Sequence, residues 1–346
     1  MYEKEMRKCF RLAKKGLGKV SPNPLVGCVI LDKNGKEISY GYHKKYGENH
    51  AERDALLKLD KSQTKDGTLI VNLEPCNHYG KTPPCSDLII EYGIKKVVIS
   101  NLDPNPKASG GIEKLKNAGI EIVTGVLKKE GESLNRVFFK NILCARPYVV
   151  TKIATTIDGK ISTNTGNSKW ITSEKSRKLV KNLRKNYDAI LTSSNTVIAD
   201  NPEMKHKRKI ILDRKNRLKF SMNIFKQGEI ILVTSKPIEN LPKNVQNIVV
   251  SEVNNKLDLA EVLNKIYQSG IKSVFIEAGG TLNGDFVKNN LIDELIHFVA
   301  PKILNDNSGN SCFQGDNIEF ISQSKNAQLV ELKQISPDYF ARYIFK

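Results

Sequence analysis

The sequence predicts an α/β protein built from two domains. Its 346 residues exceed the usual length of a single domain. In each half, short apolar runs alternate with amphipathic helical patterns, which is typical of a sheet layered with helices. A helix-like stretch ends near Arg146-Pro147 and a new apolar strand follows it. We therefore expect the two domains to span residues 1–146 and 147–346.

The first half predicts strands and helices in alternation. Residues 1–17 have an amphipathic helical pattern, and the next apolar stretch predicts two strands joined by a turn at Asn34-Gly35, a strong hairpin signal. A helix is expected at about residues 51–60. The elements that follow are strand TLIVNLE, helix SDLIIEYG, strand KVVIS, helix GIEKLKNAGI, strand EIVTGV and helix EGESLNRVFFKNILCA.

The second half predicts another α/β domain. It opens with a strand in YVVTKIATTIDGKI, and later strands are expected at AILTSS, KIILD, EIILVTS, NIVV and SVFIEA. A G-x-G-x-x-G motif is absent, so the ordinary Rossmann fingerprint is missing. Instead, a Gly-Gly turn after SVFIEA leads into a helix expected to begin near Thr281. Backbone amides at such a helix start can bind phosphate, although the glycines could equally serve conformation alone.

Composition limits the possible partners. No apolar run approaches the roughly 20 residues needed to cross a bilayer, and charges interrupt the N-terminal stretch, so we expect a cytoplasmic protein. The formal charge of +18 is compatible with nucleic acid, an anionic membrane or acidic small molecules. The most basic stretch, residues 201–220, contains only one aromatic residue, Phe220, which disfavours a single-strand binding surface. A phosphorylated small ligand, rather than nucleic acid or a membrane, is therefore expected.

Three residues have the chemistry of a catalytic zinc site. Zinc binds imidazole and thiolate tetrahedrally, and His50, Cys76 and Cys85 would leave a fourth position open for water. Glu52 could move protons between that water and a substrate nitrogen. Because residues two apart on a helix face different ways, His50 and Glu52 converge only if the helix starts there. Pro84 indicates that Cys85 begins another helix, where the dipole favours a thiolate.

The order H-x-E followed by P-C is the pattern of zinc nucleobase deaminases. The alternatives are a structural zinc site, for which His78 is the nearest fourth ligand, or a core histidine with two unrelated cysteines. Deaminases of nucleic acids and free nucleosides typically place two residues between their cysteines. Here eight residues, NHYGKTPP, intervene, which indicates a different substrate.

Several segments together resemble one enzyme family. SPNPLVGCVI, GYHKKYGENHAE, LEPCNHYGKTPPC and DPNP are similar to the N-terminal half of the bifunctional riboflavin-biosynthesis deaminase/reductases. The segments similar to the reductase half are KIATTIDGKI, GNSKWITS, LRKNYDAILTSSNTVIADNP, IEAGGTL and DELIHFVAPKIL. The resemblance implies a cytidine-deaminase-like α/β/α domain followed by a dihydrofolate-reductase-like α/β domain.

The same resemblance implies two reactions. The first is zinc-dependent hydrolytic deamination of 2,5-diamino-6-(5-phosphoribosylamino)pyrimidin-4-one, with one zinc ion per chain. The second is NADPH-dependent reduction of the ribosyl group of 5-amino-6-(5-phosphoribosylamino)uracil to ribityl. The resemblance also implies a homo-oligomer. It leaves two other hypotheses to be weighed, a nucleic-acid deaminase and a zinc-stabilised regulatory protein without activity; the intact Glu52 argues against the second.

Individual contacts follow from the resemblance. In the deaminase, Asn23 and His43 would contact the pyrimidine, whereas His78 and Lys81 would shape the inserted loop and bind the substrate phosphate. The implied NADPH contacts are Ala154, Trp170, Thr196, Asp200, Gly279, Gly280, Thr281, Leu282, Asn283, Gly284 and Asp285. The implied contacts to the reductase substrate are Ser168, Arg184, Met204, Lys207 and Glu277. Taken singly, Asn23 could be a turn residue, His43 a surface histidine and Trp170 core packing.

The chain departs from the family pattern at two phosphate positions. Lys81 and Lys207 stand where the family usually has arginine, and lysine keeps the charge but loses the bidentate geometry. The basic cluster at residues 205–209 is a candidate to compensate. Lys152 and Asp158 are candidate proton-transfer or positioning groups in the reductase half.

Overall fold

The computed structural model describes residues 1–80, 83–315 and 317–345. They form two compact units, Met1–Ala145 and Arg146–Lys346. Each unit has its own mixed sheet covered by helices, so the predicted α/β class is confirmed. Among the helices in these ranges, none has the length and apolar character needed to cross a bilayer.

The first unit is built on a five-stranded sheet in the order β2-β1-β3-β4-β5. β1 pairs antiparallel with β2 and β3, whereas β3, β4 and β5 are parallel. The strands are β1 Gly27–Leu31, β2 Glu37–Tyr42, β3 Thr68–Leu73, β4 Lys96–Asn101 and β5 Glu121–Thr124. The helices are α1 Glu3–Ala13, α2 Ala51–Leu56, α3 Lys61–Thr64, α4 Cys85–Glu91, α5 Gly111–Asn117, α6 Lys128–Leu134 and α7 Arg136–Cys144.

Alternating side chains of this sheet pack against helices on its two faces. In β3, Ile70 packs with Met6 and Phe10 of α1, whereas Leu69 and Val71 pack on the opposite face with residues of α2, α4 and α5. The apolar period of two along the strand explains this division. In this arrangement the end of β3 and the starts of α2 and α4 lie close together, and the candidate metal ligands are found there.

Two predicted helices of the first unit differ from the structure. The helix expected over residues 51–60 ends at Leu56, because Asp60 starts α3 with a capping box to Gln63. The single helix expected before the boundary is two helices, α6 and α7, separated at Asn135. The side-chain amide of Asn135 is buried and exchanges two hydrogen bonds with the main chain of Leu25, at 2.8 and 2.9 Å, which holds the break in place.

The second unit contains a nine-stranded sheet in the order β11-β10-β9-β8-β14-β6-β15-β18-β17. The strands from β11 to β15 run parallel, and β18 and β17 are added antiparallel. Its main strands are β6 Tyr148–Thr155, β8 Ala189–Ser193, β9 Arg208–Leu212, β10 Glu229–Thr234, β11 Val245–Val249, β14 Ser273–Ile276, β15 Glu294–Val299, β17 Ala327–Ile335 and β18 Asp338–Phe345.

Short strands and four α-helices accompany this sheet in the described part of the second unit. The short strands are β7 Lys160–Ser162, β12 Glu252–Val253, β13 Lys256–Leu257 and β16 Asn310–Ser311. The helices are α8 Glu174–Arg184, α9 Ser194–Asp200, α10 Leu259–Gln268 and α11 Gly280–Lys288. The predicted strand over residues 148–161 is divided into β6 and β7 by a turn at Gly159, which has a positive φ of 75°.

Candidate active sites

The three predicted zinc ligands meet in the first unit. The Sγ atoms of Cys76 and Cys85 each lie 3.5 Å from Nδ1 of His50, and the three ligand atoms lie within 4.8 Å of one another. Tetrahedral zinc with ordinary bond lengths holds such atoms roughly 3.5 Å apart, so the group fits the ion. The group contains no fourth ligand among the described residues, which leaves room for water and fits a catalytic rather than a structural site.

Local structure explains how these side chains converge. His50 is the N-cap of α2 and has an extended backbone, φ −67° and ψ 164°, so Glu52 in the first turn can approach the same point. Cys76 follows the end of β3, and Cys85 is the first residue of α4, with Pro84 as its N-cap. The backbone N–H of Cys85 donates to Sγ of Cys76 at 3.5 Å. The predicted helix starts at His50 and Cys85 are therefore confirmed.

Glu52 is buried beside the metal ligands. Only 3% of the residue is exposed. This burial raises the pKa of Glu52 to about 7, although the neighbouring His50 opposes the rise. A carboxyl group with such a pKa can both accept and donate a proton near neutral pH. The Cys76 thiol has its pKa lowered to about 4, chiefly by a hydrogen bond with Cys85, which favours the thiolate as a ligand.

Asn23 and His43 lie next to this cluster. The ring of His43 is 5.5 Å from that of His50, centroid to centroid, and is almost completely buried. Its Nδ1 lies 3.0 Å from the carbonyl oxygen of Asn49, and its Nε2 lies 3.2 Å from Nδ2 of Asn23. Burial lowers the pKa of His43, so the neutral ring donates to Asn49 and accepts from the Asn23 amide. His43 is thus an enclosed histidine, not a surface one.

The inserted loop places one predicted residue away from the cluster. His78 is exposed and is not part of the ligand group. Lys81 lies outside the described residues.

The second unit contains a cavity of about 1580 Å³. It lies beyond the carboxyl ends of β8 and β14, where parallel α/β sheets commonly bind ligands. Most of the residues predicted for the reductase line it: Lys152, Ala154, Ser168, Trp170, Arg184, Thr196, Asp200, Met204, Glu277, Gly279, Gly280, Thr281, Leu282 and Asp285. The cavity therefore brings predicted cofactor and substrate contacts together.

Three charged side chains form a network in the cavity wall. Arg184 binds Glu277 through two hydrogen bonds, from Nη2 at 2.9 Å and from Nε, and Nζ of Lys152 lies 3.9 Å from the same carboxylate. Burial would raise the pKa of Glu277, but Arg184 and Lys152 outweigh that effect and lower it. Burial also lowers the pKa of Lys152, with Arg184 adding to the shift. A lysine in this state gives up its proton more readily.

Two residues predicted to contact the cofactor, Asn283 and Gly284, are packed into the fold instead. The side chain of Asn283 is completely buried, and its Oδ1 accepts a hydrogen bond of 2.9 Å from Thr151. Gly284 packs so closely that an added Cβ would lie 1.8 Å from the carbonyl oxygen of Gln314. The helix itself begins at Gly280, with Gly279 as N-cap, one residue before the predicted start.

Residues 205–209, the basic cluster, are all described by the structure, and none of them lines the cavity. Lys207 is exposed and lies outside the cavity lining. Lys209 is buried under the same segment, and its Nζ donates to the carbonyl oxygens of Ile224 at 2.6 Å and Glu203 at 3.2 Å. Asp158 also lies outside the lining, because it accepts hydrogen bonds from the main-chain N–H groups of Leu304 and Asn305.

Three arginines of the cavity lining, Arg177, Arg214 and Arg217, were not identified from the sequence as site residues. The guanidinium of Arg177 lies 4.4 Å from the centroid of the Trp170 ring. Arg177 precedes Arg184 by seven residues on α8, so the helical period could have revealed it. Arg217 donates from Nη2 to Oγ of Ser194 at 2.8 Å and to the Asn195 side chain at 2.6 Å. Arg217 belongs to the basic stretch at residues 201–220, but its local sequence does not distinguish it from the other basic residues there.

Comparison with known proteins agrees with the two-site arrangement. Residues 1–101 match the cytidine and deoxycytidylate deaminase zinc-binding region, and residues 147–341 match the RibD C-terminal domain. The riboflavin biosynthesis protein RibD of Actinobacillus pleuropneumoniae is 39% identical, covering 98% of this chain and 94% of that protein. Its counterpart from Escherichia coli K12 is 35% identical and covers 96% of both chains.

Solved structures are similar over almost the whole chain. A diaminohydroxyphosphoribosylaminopyrimidine deaminase/5-amino-6-(5-phosphoribosylamino)uracil reductase from Thermotoga maritima has a TM-score of 0.90 and 36% identity, covering 100% of this chain and 99% of that one. Acinetobacter baumannii RibD has a TM-score of 0.88 and 34% identity, covering 99% and 98%.

Proposed function

This chain belongs to the RibD family of bifunctional riboflavin-biosynthesis enzymes, and on that premise we propose which parts of it carry out the two reactions. Residues 1–146 deaminate 2,5-diamino-6-(5-phosphoribosylamino)pyrimidin-4-one. Residues 147–346 then reduce the ribosyl group of 5-amino-6-(5-phosphoribosylamino)uracil to ribityl with NADPH. The observation that carries this proposal is the pairing of a three-ligand metal cluster beside buried Glu52 with a separate, charge-lined cavity in the other unit.

In the deaminase, each side chain is given one role. His50, Cys76 and Cys85 would hold zinc, which would act as a Lewis acid in the reaction. Glu52 takes a proton from the attacking water and delivers it to the amine nitrogen, which leaves the pyrimidine ring as ammonia; the raised pKa of Glu52, about 7, suits both transfers. Asn23, fixed by His43, orients the ring through its side-chain amide.

In the reductase, the cofactor supplies the hydride and the protein supplies position and a proton. The N-cap Gly279 and the first turn of α11, Gly280 to Leu282, bind the cofactor phosphates. When hydride adds to C1′ and the bond from C1′ to the ring oxygen breaks, Lys152 donates a proton to that oxygen, which its lowered pKa favours. Arg184 keeps Glu277 charged and oriented, and Glu277 in turn holds Lys152 toward the cavity.

The remaining substrate and cofactor contacts follow from their place in the cavity. Ser168 and Met204 contact the reductase substrate, whereas Ala154, Trp170, Thr196, Asp200 and Asp285 contact NADPH. Arg177 and Arg217 add positive charge that suits two phosphorylated ligands. His78 and Lys81 remain candidates for the phosphate of the deaminase substrate.

The assembly and location are also part of the proposal. The chain is a cytoplasmic homo-oligomer that takes small phosphorylated pyrimidines and binds neither nucleic acid nor a membrane. Self-association is supported by β17, the edge strand of the nine-stranded sheet, where Leu329, Val330 and Leu332 are exposed. An unpaired edge of this kind can add a strand from a second copy.

The test is mass spectrometry of the diaminopyrimidinone ribosyl phosphate after incubation with the zinc-loaded chain, with and without NADPH. We expect an amine to be replaced by oxygen in both samples and the sugar to be reduced only with NADPH. Glu52→Gln should block the first step and leave reduction of added aminouracil substrate intact, whereas Lys152→Met should do the reverse. Deamination that survives Glu52→Gln would contradict the assigned proton carrier.

A further inference from the structure

The LEPC and DPNP segments of the sequence meet around Cys76. Glu74 lies directly after β3, two residues before this metal ligand, and only 8% of it is exposed. Its Oε2 accepts a hydrogen bond of 3.2 Å from the backbone N–H of Asp103, and its Oε1 accepts one of 3.3 Å from the N–H of Ile112. One carboxylate therefore binds both ends of the loop between β4 and α5.

The same loop contacts the chain on the other side of Cys76. The backbone N–H of Asn77 donates to the carbonyl oxygen of Ala108 at 3.2 Å. Gly111 packs so closely against Pro75 that an added Cβ would lie 1.9 Å from the Pro75 carbonyl oxygen. The residues flanking Cys76 are thus held by one loop, at positions 74, 75 and 77.

A carboxylate suits this position for a specific chemical reason. The N–H of Ile112 is in the first turn of α5, where it has no partner within the helix, and the N–H of Asp103 lies in a loop. Leaving either group buried without an acceptor is costly. Glutamate offers two acceptor oxygens at once, whereas glutamine offers one oxygen and an NH₂ group that cannot accept.

We propose that Glu74 is a positioning residue for zinc: by binding Asp103 and Ile112 it fixes the loop that holds Cys76, and so sets the place of the Cys76 sulfur relative to His50 and Cys85. Glu74 touches neither the metal nor the substrate in this scheme. The inference rests on the proposed zinc deaminase function. It also gives a structural role to the DPNP segment, which has no part in the proposed reaction.

The test compares Glu74→Gln with the wild-type chain and with Glu121→Gln, a matched control whose exposed carboxylate forms an ion pair with Lys96. Each protein is loaded with cobalt, and its thiolate-to-cobalt absorption is recorded; each zinc form is then mixed with a chelator to measure the rate of metal loss. We expect Glu74→Gln to alter the cobalt spectrum and to lose zinc about ten times faster, as is usual when a group supporting a ligand is removed. Glu121→Gln and the reductase activity of all three proteins should be unchanged. A wild-type spectrum together with a wild-type rate of zinc loss would overturn the proposal.

A second measurement, on the wild-type chain, tests the proposal even if the Glu74→Gln chain does not fold. If the loop positions Cys76, metal binding must in return stabilise the loop. In the wild-type chain, removing zinc should therefore speed hydrogen exchange at residues 102–112 and leave β5 unchanged. Equal exchange with and without zinc at residues 102–112 would overturn the proposal. Failure of the wild-type chain to show thiolate-to-cobalt absorption would instead contradict the deaminase assignment, so the two failures are distinguishable.

Discussion

Two enclosed glutamates show how single residues are adjusted for different tasks. Burial dominates at Glu52 and raises its pKa to about 7, so it can carry a proton. Glu277 is also enclosed, but Arg184 and Lys152 keep its pKa low, so it remains a fixed negative charge. The same residue type thus serves as a proton carrier in one unit and as a fixed negative charge in the other.

Replacing Arg184 by lysine should impair reduction. Lysine keeps the positive charge but replaces two directed hydrogen bonds to Glu277 with a single point contact. Loss of one charged hydrogen bond, about 2 kcal/mol, corresponds to a fall in kcat/KM of roughly thirtyfold, measured by NADPH oxidation. Lys185→Gln, an exposed change on the next residue, is the control, and deamination should be unaffected. Full reductase activity in Arg184→Lys would show that the bidentate pair is not needed.

His297 should make the second unit sensitive to acid. Burial lowers the pKa of His297 to about 4, against about 6.5 in an unfolded chain. Between those pH values the unfolded chain binds a proton that the folded chain does not, so the free energy of unfolding falls as the pH drops from about 6.5 to about 4. The contribution of this residue is at most about 1.4 kcal/mol per pH unit and ends below about pH 4.

The measurement is urea unfolding across that range, followed by the fluorescence of Trp170, the single tryptophan of the chain. His297→Gln cannot titrate and should flatten this part of the stability profile. Parallel losses of stability in the variant and the wild-type chain would assign the acid sensitivity to other groups.

Among the helices and strands, those defined by local signals could be predicted from the sequence. The β1–β2 hairpin carries an Asn-Gly turn, and the buried parallel strands β3 and β4 contain the apolar runs LIV and VVI. The metal ligands could also be predicted from the sequence, because their residue types and spacing are typical of a zinc site. The break between α6 and α7 could not be predicted, since it depends on the hydrogen bonds between Asn135 and distant Leu25.

Other features depend on tertiary contacts that a sequence does not display. Asn283 belongs to a glycine-rich segment that suggests cofactor binding, yet it lies within α11 and its side chain accepts a hydrogen bond from Thr151 in the core. Lys207 precedes a strand and resembles a ligand position, yet it is exposed and does not line the cavity. The hairpin of β17 and β18 was missed because almost all of β17 is exposed, which removes the alternation that marks a half-buried strand.

A charge on the β17 edge should weaken self-association. Leu332 is 64% exposed on this strand, and lysine in its place repels a second edge and is a common device against edge pairing. We expect Leu332→Lys to shift the chain toward the monomer in sedimentation velocity over a range of concentrations. Gln268→Lys adds the same charge on α10, away from the edge, and should associate as the wild-type chain does. Unchanged association of Leu332→Lys would place the interface elsewhere.

At the level of the whole molecule, the described residues of each site lie within one compact unit. The metal cluster and Glu52 belong to Met1–Ala145, and the cavity is lined only by residues of Arg146–Lys346 among those described. The two activities should therefore respond separately to a change that affects one unit.

Removing the metal should separate the activities. A chelator followed by desalting should abolish deamination, because His50, Cys76 and Cys85 then hold no Lewis acid. Reduction of added aminouracil substrate by NADPH should persist, and zinc should restore deamination. The two rates are measured in the same sample, so the reductase is the internal control. Simultaneous loss of both rates would show that the metal also supports the second unit.

The position of β6 has a consequence for synthesis of the chain. β6 is the first strand of the second unit but lies inside its sheet, where Tyr148 pairs with Ser273 and Val150 pairs with both Phe275 and Glu294. On the ribosome, all five strands of the first unit emerge before β6, whereas both partners of β6 emerge long after it. The first unit can thus fold during translation, while the apolar β6 must wait unpaired for its neighbours. A chain truncated between β6 and β14 would carry a finished first unit followed by an exposed strand that is prone to aggregate.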